Sequence, residues 1–393
     1  MKKAALRMES LAPHFFASLG AKIAALQAEG CDIIRLDEGS PDLPPAPHII
    51  ETLAGSAARP GHHSYQPHRG TQALRAAWCE MYRREFGVDL DPQEEIVPLL
   101  GSKEGIFHLA LALVEPGDIV MIPDPGYITY TRGALFAGGE PYYLPLLPER
   151  DYLPDFTSIP GDIARRTRLI WLNYPNNPTA AVATDAFFSE AVQFARDHQA
   201  LLCHDAAYSQ VTFNGKNAPS LLQARGAKEV AVEFNTLSKS HNMAGWRVGA
   251  ALGNPQAVRA LFTLKTNADS SHFLPILEAA TTAMTGDQNW LRQRNEIYRR
   301  RRDIAIRSLH GIGLPARIPE ASLYIWCPAP DGWTGMEFAA AILDQAHVSL
   351  TPGSVFGTRG EGYVRISLTA PSGRIEEAMH RITNWMEKCR SVS

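Results

Sequence analysis

The sequence predicts an α/β fold, a large domain whose mostly parallel sheet is sandwiched by helices, with a smaller α+β domain beside it. Three observations predict it. At 393 residues the chain exceeds what one small core organises. Between Glu95 and Phe234, short apolar runs alternate with helical patterns, and strands joined through helices pair in parallel with both faces covered. From about Leu274 that alternation gives way to a different order of elements.

The elements follow in chain order. Phe16, Leu19, Ile23 and Leu26 recur at helical spacing until Gly30, so residues 1 to about 38 read as an arm and an amphipathic helix. Asp37 to Pro45 is a Gly- and Pro-rich crossing segment, and His63 to Pro67 with Gly70 is a second irregular piece before a helix through Leu74, Trp78 and Tyr82. Strands are expected at Ile96 to Leu100, Ile119 to Ile122, Pro141 to Leu146, Leu169 to Asn173, Leu201 to His204 and Val230 to Phe234. Ser102 opens a helix through Ile106, Leu109 and Leu113, and another helix surrounds Phe187 to Phe194. The last third reads as a long helix from Asn289 to Leu309, the run ASLYIWCP, a helix near Phe338 to Leu343, the loop LTPGSVFG, a strand from Tyr363 to Leu368 and a closing helix to Trp385. The expected division is 1–44 as an arm and part of the small domain, 45–273 as the large domain, and 274–393 as the small domain.

Composition narrows the function. Apolar content of 45% and charged content of 20% describe an ordinary globular chain, and a formal charge of -3 gives no electrostatic reason for a nucleic-acid or membrane partner. The basic run Arg299 to Arg302 sits in a helical pattern with acidic neighbours and reads as a solvated helix face. Cys31, Cys79, Cys203, Cys327 and Cys389 lie far apart with no CxxC spacing, so neither a metal ribbon nor a disulfide framework is expected, and a reducing compartment fits. The N-terminus has no continuous apolar segment and no run is long enough to cross a bilayer, which makes the cytoplasm the expected compartment. Neither GxGxxG nor GxxxxGK[ST] follows any strand, against nucleotide binding.

In parallel sheets ligands bind beyond the carboxyl ends of the strands, and here successive ends deliver reactive groups. Gly101, Ser102 and Lys103 follow the first strand, Tyr127 the second, Asn177 the Leu169 strand, Asp205 and Tyr208 the Leu201 strand, and Ser238, Lys239 and Arg247 the Val230 strand. Gly101 and Ser102 open a helix whose free N–H groups favour a phosphate, although a serine there is also an ordinary N-cap. Arg247 and Ser238 can add charge-assisted bonds to the same anion. Asp205, at the end of an apolar strand, needs a cationic partner, which a protonated pyridine nitrogen would supply; alone it would read as a cap or buried salt bridge. Tyr127 offers a flat face for a ring, while Asn177 and Tyr208 can reach a phenolic oxygen. An exposed lysine has a pKa of about 10.4 and is not nucleophilic near neutral pH, whereas Lys239, in the loop after its strand, would be shifted down in a partly dry site beside Arg247 and could form a Schiff base. Taken singly, most of these residues would be packing or surface groups; their order along the chain is what carries the argument.

NTLSKSHNMAGWRVG, LNYPNNPTA, HDAAY, LGSKEG and YVRISL together resemble the fold-type I pyridoxal-phosphate aminotransferases of class I/II, over nearly the whole chain. The resemblance implies an aspartate aminotransferase-like fold and pyridoxal 5'-phosphate as cofactor. It also implies Lys239 as the Schiff-base lysine, Asp205 opposite the pyridine nitrogen, Asn177 and Tyr208 on the ring hydroxyl, and Ser238, Arg247 and the Gly101-Ser102-Lys103 turn around the phosphate. Arg365 resembles the anchor of the substrate α-carboxylate, Gly39 a backbone contact to that carboxylate, and Tyr65 the residue reaching the phosphate from a second subunit, which implies a homodimer. GSKEGIFHLAL, PDPGYITY and LFAGGEPYYLPL look most like the LL-diaminopimelate aminotransferases and their relatives, and Lys103 could then meet a distal substrate carboxylate. The implied reaction moves an amino group from an L-amino acid to a 2-oxo acid such as 2-oxoglutarate. A lyase, decarboxylase or oxidase on the same cofactor is the alternative, and a cofactor-sensing regulator lacks the helix-turn-helix pattern it would need. Two departures stand out: Ala180 replaces the glycine usual after Asn-Pro-Thr, and His272 sits where related chains often carry a small residue, so both are expected to alter the pocket.

Overall fold

The computed structural model of the chain describes Met8 and residues 15–392. The first helix spans Phe15–Ala28; apart from Met8, the arm expected ahead of it falls outside the described residues. The strands in chain order are β1 (Ile34–Arg35), β2 (Ile96–Leu99), β3 (Ile119–Asp124), β4 (Glu140–Pro145), β5 (Thr167–Asn173), β6 (Leu201–Asp205), β7 (Ala231–Thr236), β8 (Gly249–Gly253), β9 (Tyr324–Pro328), β10 (Val348–Ser349), β11 (Thr351–Pro352) and β12 (Tyr363–Ser367).

Seven strands form the main sheet in the order β2-β8-β7-β6-β5-β3-β4. All pairings from β4 through β7 are parallel, whereas β8 runs antiparallel to both β7 and β2. The sequence reading missed β8, because GAALG is too rich in small residues to read as an apolar run. Its reversal matters for the site. The chain enters β8 at the edge where its neighbours end, which brings Arg247 to the carboxyl ends of the other strands.

Alternate residues of each strand feed opposite faces, as the two-residue period of a strand requires. Trp171, Cys203, Val232 and Phe234 pack with Ile106 and Leu109 of the helix Ser102–Leu113 and Leu261 of the helix Pro255–Ala268. Ile170, Leu172 and Leu202 face Trp78, Phe188, Val192 and Leu277 on the helices across the other face. Complete burial of a side chain such as Phe234 contributes about 1.5–3 kcal/mol.

A separate three-stranded sheet, β11-β12-β9, is antiparallel, and its core joins Tyr324, Ile366, Phe338 and Trp385 with Ile34 and Leu36. The long helix Asn289–Gly311 supplies Tyr298 and Leu309 to that core. The helix Gly335–Ala346 starts at a capping box of Thr334 and Glu337. The basic run on the long helix differs from expectation. Arg299 and Arg300 pair with Glu296 near the surface, but Arg301 is buried and grips both oxygens of Asp42 at 2.7 and 2.8 Å. Helical period turns the third residue of the run inward, where a fork-shaped guanidinium needs a carboxylate. Among the described residues no helix is long and apolar enough to cross a membrane.

Candidate active site

A cavity of about 640 Å³ opens where the carboxyl ends of the main-sheet strands meet the three-stranded sheet and the segment from Arg35 to Ser40. All the residues expected to bind cofactor or substrate line it except Gly101, which sits against Arg247, and Tyr65, which is 93% exposed.

Lys239 does not lie in a loop: it occupies the short helix Leu237–Ser240, whose N-cap Thr236 accepts from the Ser238 N–H at 3.1 Å. The buried Arg294 guanidinium donates to the Lys239 and Ser240 carbonyls, so the far end of that turn is fixed too. The Lys239 amine reaches into the cavity and donates to the Gly39 carbonyl. Burial, and then the neighbouring Arg365 and Arg247 cations, push its pKa below the ordinary lysine value despite Tyr324 and Asp205.

Asp205 ends β6 with one oxygen, Oδ2, accepting from the Tyr130 hydroxyl at 2.9 Å. Its other oxygen is buried with no protein partner. Burial raises this carboxyl above the ordinary aspartate range, although Tyr130 opposes the shift. A cation or strong donor facing Oδ1 would restore the charged form, and that is what a protonated pyridine nitrogen offers. Asn173, one strand over, donates to the Asp205 carbonyl at 2.7 Å and accepts from the Asn177 N–H at 2.8 Å. Two neighbouring strand ends are thereby locked together.

Arg365 on β12 is 4% exposed and lies over the Tyr324 ring at 4.1 Å, with Phe356 on another side at 4.9 Å. It donates to Asn177 Oδ1 and to the Asp37 carbonyl, both at 2.9 Å, while its Nε has no partner. An aromatic floor and two fixed acceptors hold the guanidinium plane, leaving donor capacity for a carboxylate. Tyr324 was missed in the sequence. Its hydroxyl lies 2.9 Å from that of Tyr208, and although burial works against it, Arg365, Lys239 and Tyr208 together bring its phenol below the usual range. The only signal was ASLYIWCP itself; the register that places Tyr324 beside Arg365 is a pairing between distant strands. Tyr130 was also missed, and it sits one helical turn beyond Tyr127, whose ring meets it edge-on at 5.8 Å.

Ser102, Ser238 and Arg247, expected around a phosphate, line the cavity together, with Gly101 against the Arg247 guanidinium. Arg247 Nη1 donates to the Ala244 carbonyl at 2.9 Å, and Nη2 lies 3.4 Å from the Leu100 carbonyl. Gly101 takes φ +81°, and a Cβ there would stand 2.2 Å from Arg247 Nη2. Gly101→Ala must therefore displace the guanidinium and adopt a left-handed backbone conformation, which alone costs about 1–2 kcal/mol. The expected result is at least about tenfold weaker cofactor retention, measured by dialysis and absorbance. Lys103 lines the same cavity, and burial together with Arg132 and Arg247 lowers its pKa.

The two departures behave differently from expectation. Neither Ala180 nor His272 lines the cavity of its own chain. Ala180 holds the turn after Asn176 with φ 59°, the conformation a glycine would adopt without strain, and donates back to the Asn176 carbonyl at 2.9 Å. His272 donates from Nε2 to the Arg247 carbonyl at 2.7 Å.

The donor set fits pyridoxal 5'-phosphate: an amine, a carboxylate with an unmet buried oxygen, a ring face and an anion cup share one cavity. Comparison with known proteins agrees. The family model for aminotransferase class I and II matches residues 31–382. The LL-diaminopimelate aminotransferase of Moorella thermoacetica is 46% identical over 384 residues, with 98% of each chain covered. That of Desulforudis audaxviator is 47% identical over 378 residues, with 96% of each chain covered. Among solved structures, substrate-bound BacF of Bacillus subtilis superposes with a TM-score of 0.94 at 35% identity, covering 98% of both chains. A single mutant of Thermus thermophilus aspartate aminotransferase gives 0.90 at 28% identity, covering 98% of this chain and 100% of its own. Likeness of that extent, on a chain whose strand ends converge on one lysine and one aspartate, settles the family: this protein belongs to the class I and II aminotransferases, and it transfers amino groups with pyridoxal 5'-phosphate.

Proposed function

We propose that the amino donor is a dicarboxylic amino acid of the LL-diaminopimelate type, that the acceptor is a 2-oxo acid such as 2-oxoglutarate, and that Lys239 is the group that bonds the cofactor and moves the proton. The carrying observation is the pair of cations in one cavity. Arg365, held between Tyr324, Phe356 and Asn177, is preorganised for an α-carboxylate, and Lys103 lines the same cavity as a candidate for a distal one. The names of the Moorella and Desulforudis relatives support the same donor.

Bound, the cofactor supplies an electron-withdrawing ring that accepts the electron pair left when Cα loses its proton. Asp205 would face its ring nitrogen, Asn177 and Tyr208 its hydroxyl, and Gly101, Ser102, Lys103, Ser238 and Arg247 its phosphate, with Tyr127 against the ring. Arg365 fixes the substrate carboxylate, and Gly39 lines the same side through its backbone; together they orient Cα toward the Lys239 amine. The amine, lowered in pKa by burial, is then suited to take the Cα proton and return it elsewhere. Nothing in the cavity favours lyase, decarboxylase or oxidase chemistry over transfer.

The reading also includes a homodimer in which the exposed Tyr65 reaches the neighbouring site, a cytoplasmic setting supported by the free thiols of Cys31, Cys79, Cys203 and Cys327, and a division into 1–44, 45–273 and 274–393; Ile34 and Leu36 in the small-sheet core support the first part, whereas Leu277 and Met284 pack on the main-sheet core and move the second boundary beyond their helix. A panel of amino acids mixed with the pyridoxal form tests the donor. LL-diaminopimelate and glutamate are expected to bleach its absorbance and aromatic amino acids to leave it; the opposite pattern removes Lys103 from substrate recognition.

A further inference from the structure

The segment from Lys265 to His272 touches both sides of the anion cup without lining the cavity. At its start, Lys265, 1% exposed, donates to Glu104 Oε1 at 3.0 Å and to Asp269 Oδ1 at 2.5 Å. The other Glu104 oxygen accepts the Leu100 N–H at 2.5 Å. Leu100 directly precedes Gly101 and Ser102, so this chain of contacts fixes one lip of the cup. At the end of the segment, His272 Nε2 donates to the Arg247 carbonyl at 2.7 Å. Arg247 is the other lip, and its φ of 58° is a conformation that a side-chain-bearing residue holds only when its surroundings enforce it. Burial keeps the His272 ring neutral, which suits a donor to a carbonyl.

We infer that His272 is a positioning residue for the cofactor phosphate: through one hydrogen bond to the Arg247 main chain it holds the guanidinium against the Leu100–Ser102 turn, which Lys265 of the same segment fixes through Glu104. The inference rests on the reading of this cup as the phosphate site. A lost bond of this kind weakens phosphate binding about three- to tenfold. It leaves the groups that face the ring untouched.

The full chain, stripped of cofactor, is titrated with pyridoxal 5'-phosphate and, separately, with pyridoxal, following quenching of tryptophan fluorescence. His272→Ala is expected to lose about three- to tenfold affinity for the phosphorylated compound and none for pyridoxal. His272→Gln, whose amide can donate from a similar position, is expected to recover most of that loss. Should alanine leave a chain that does not fold, His272→Leu fills the same space without a donor and carries the same expectation. Equal weakening toward both compounds, no weakening, or failure of glutamine to rescue overturns the inference. An unsubstituted chain that binds the two compounds equally would instead refute the phosphate reading of the cup.

Discussion

Lys239→Ala is expected to abolish amino transfer, with a loss of at least about 10⁴-fold in turnover. The size follows from position. No other amine in the cavity occupies the end of β7 beside both Asp205 and Tyr324: Lys103 lies on the helix that follows β2, and the other lining cations are guanidiniums, which do not give up a proton near neutral pH. The protein is built to spend structure on this one side chain. Thr236 caps its short helix, Arg294 binds the carbonyls at its far end, and the amine points at the Gly39 carbonyl rather than at water. Truncation to alanine removes the amine while leaving all of those main-chain contacts available, so the fold should survive. Two measurements separate the roles. Absorbance of the bound cofactor should shift to that of a noncovalent complex, and single-turnover exchange of the Cα hydrogen should vanish. A variant that retained both the absorbance and the turnover would end the assignment.

How far the sequence alone carries this site depends on the range of each interaction. Strand ends were legible because an apolar run and the polar residue after it are adjacent in the chain; Asp205, Asn177 and Lys239 were found that way. Arg247 was placed by its spacing to Lys239, and the structural reason is the reversed strand β8, which its run of small residues concealed. Tyr324 and Tyr130 were invisible for another cause. Their relevance arises only when β9 pairs with β12 and when the Tyr130 hydroxyl reaches Asp205 at the end of β6, and neither relation leaves a mark in local composition. The buried Arg301 shows the same limit from the opposite side. Four consecutive arginines have one character as a string, yet helical rotation sends one of them inward to Asp42 and leaves two at the surface with Glu296.

Asp205→Asn is the second large effect, a fall of about 10²–10³-fold in the rate of proton removal from the amino donor with the cofactor still bound. Asparagine matches the aspartate in size and can still accept from the Tyr130 hydroxyl, so packing around the end of β6 should be unchanged. What is lost is charge. As the protein stands, burial already drives this carboxyl toward its neutral form, against the pull of Tyr130. A protonated ring nitrogen at Oδ1 would reverse that tendency, and the carboxylate and the nitrogen would each hold the other in its charged state. An amide would not stabilise a protonated nitrogen there, so the ring would be a poorer acceptor for electrons leaving Cα, while Lys239 and the residues proposed for the phosphate would still retain it. Rates of the first half-reaction and cofactor content should therefore separate, the first collapsing and the second near the unsubstituted value. An unchanged half-reaction rate would show that the unmet oxygen of Asp205 faces something other than the ring nitrogen.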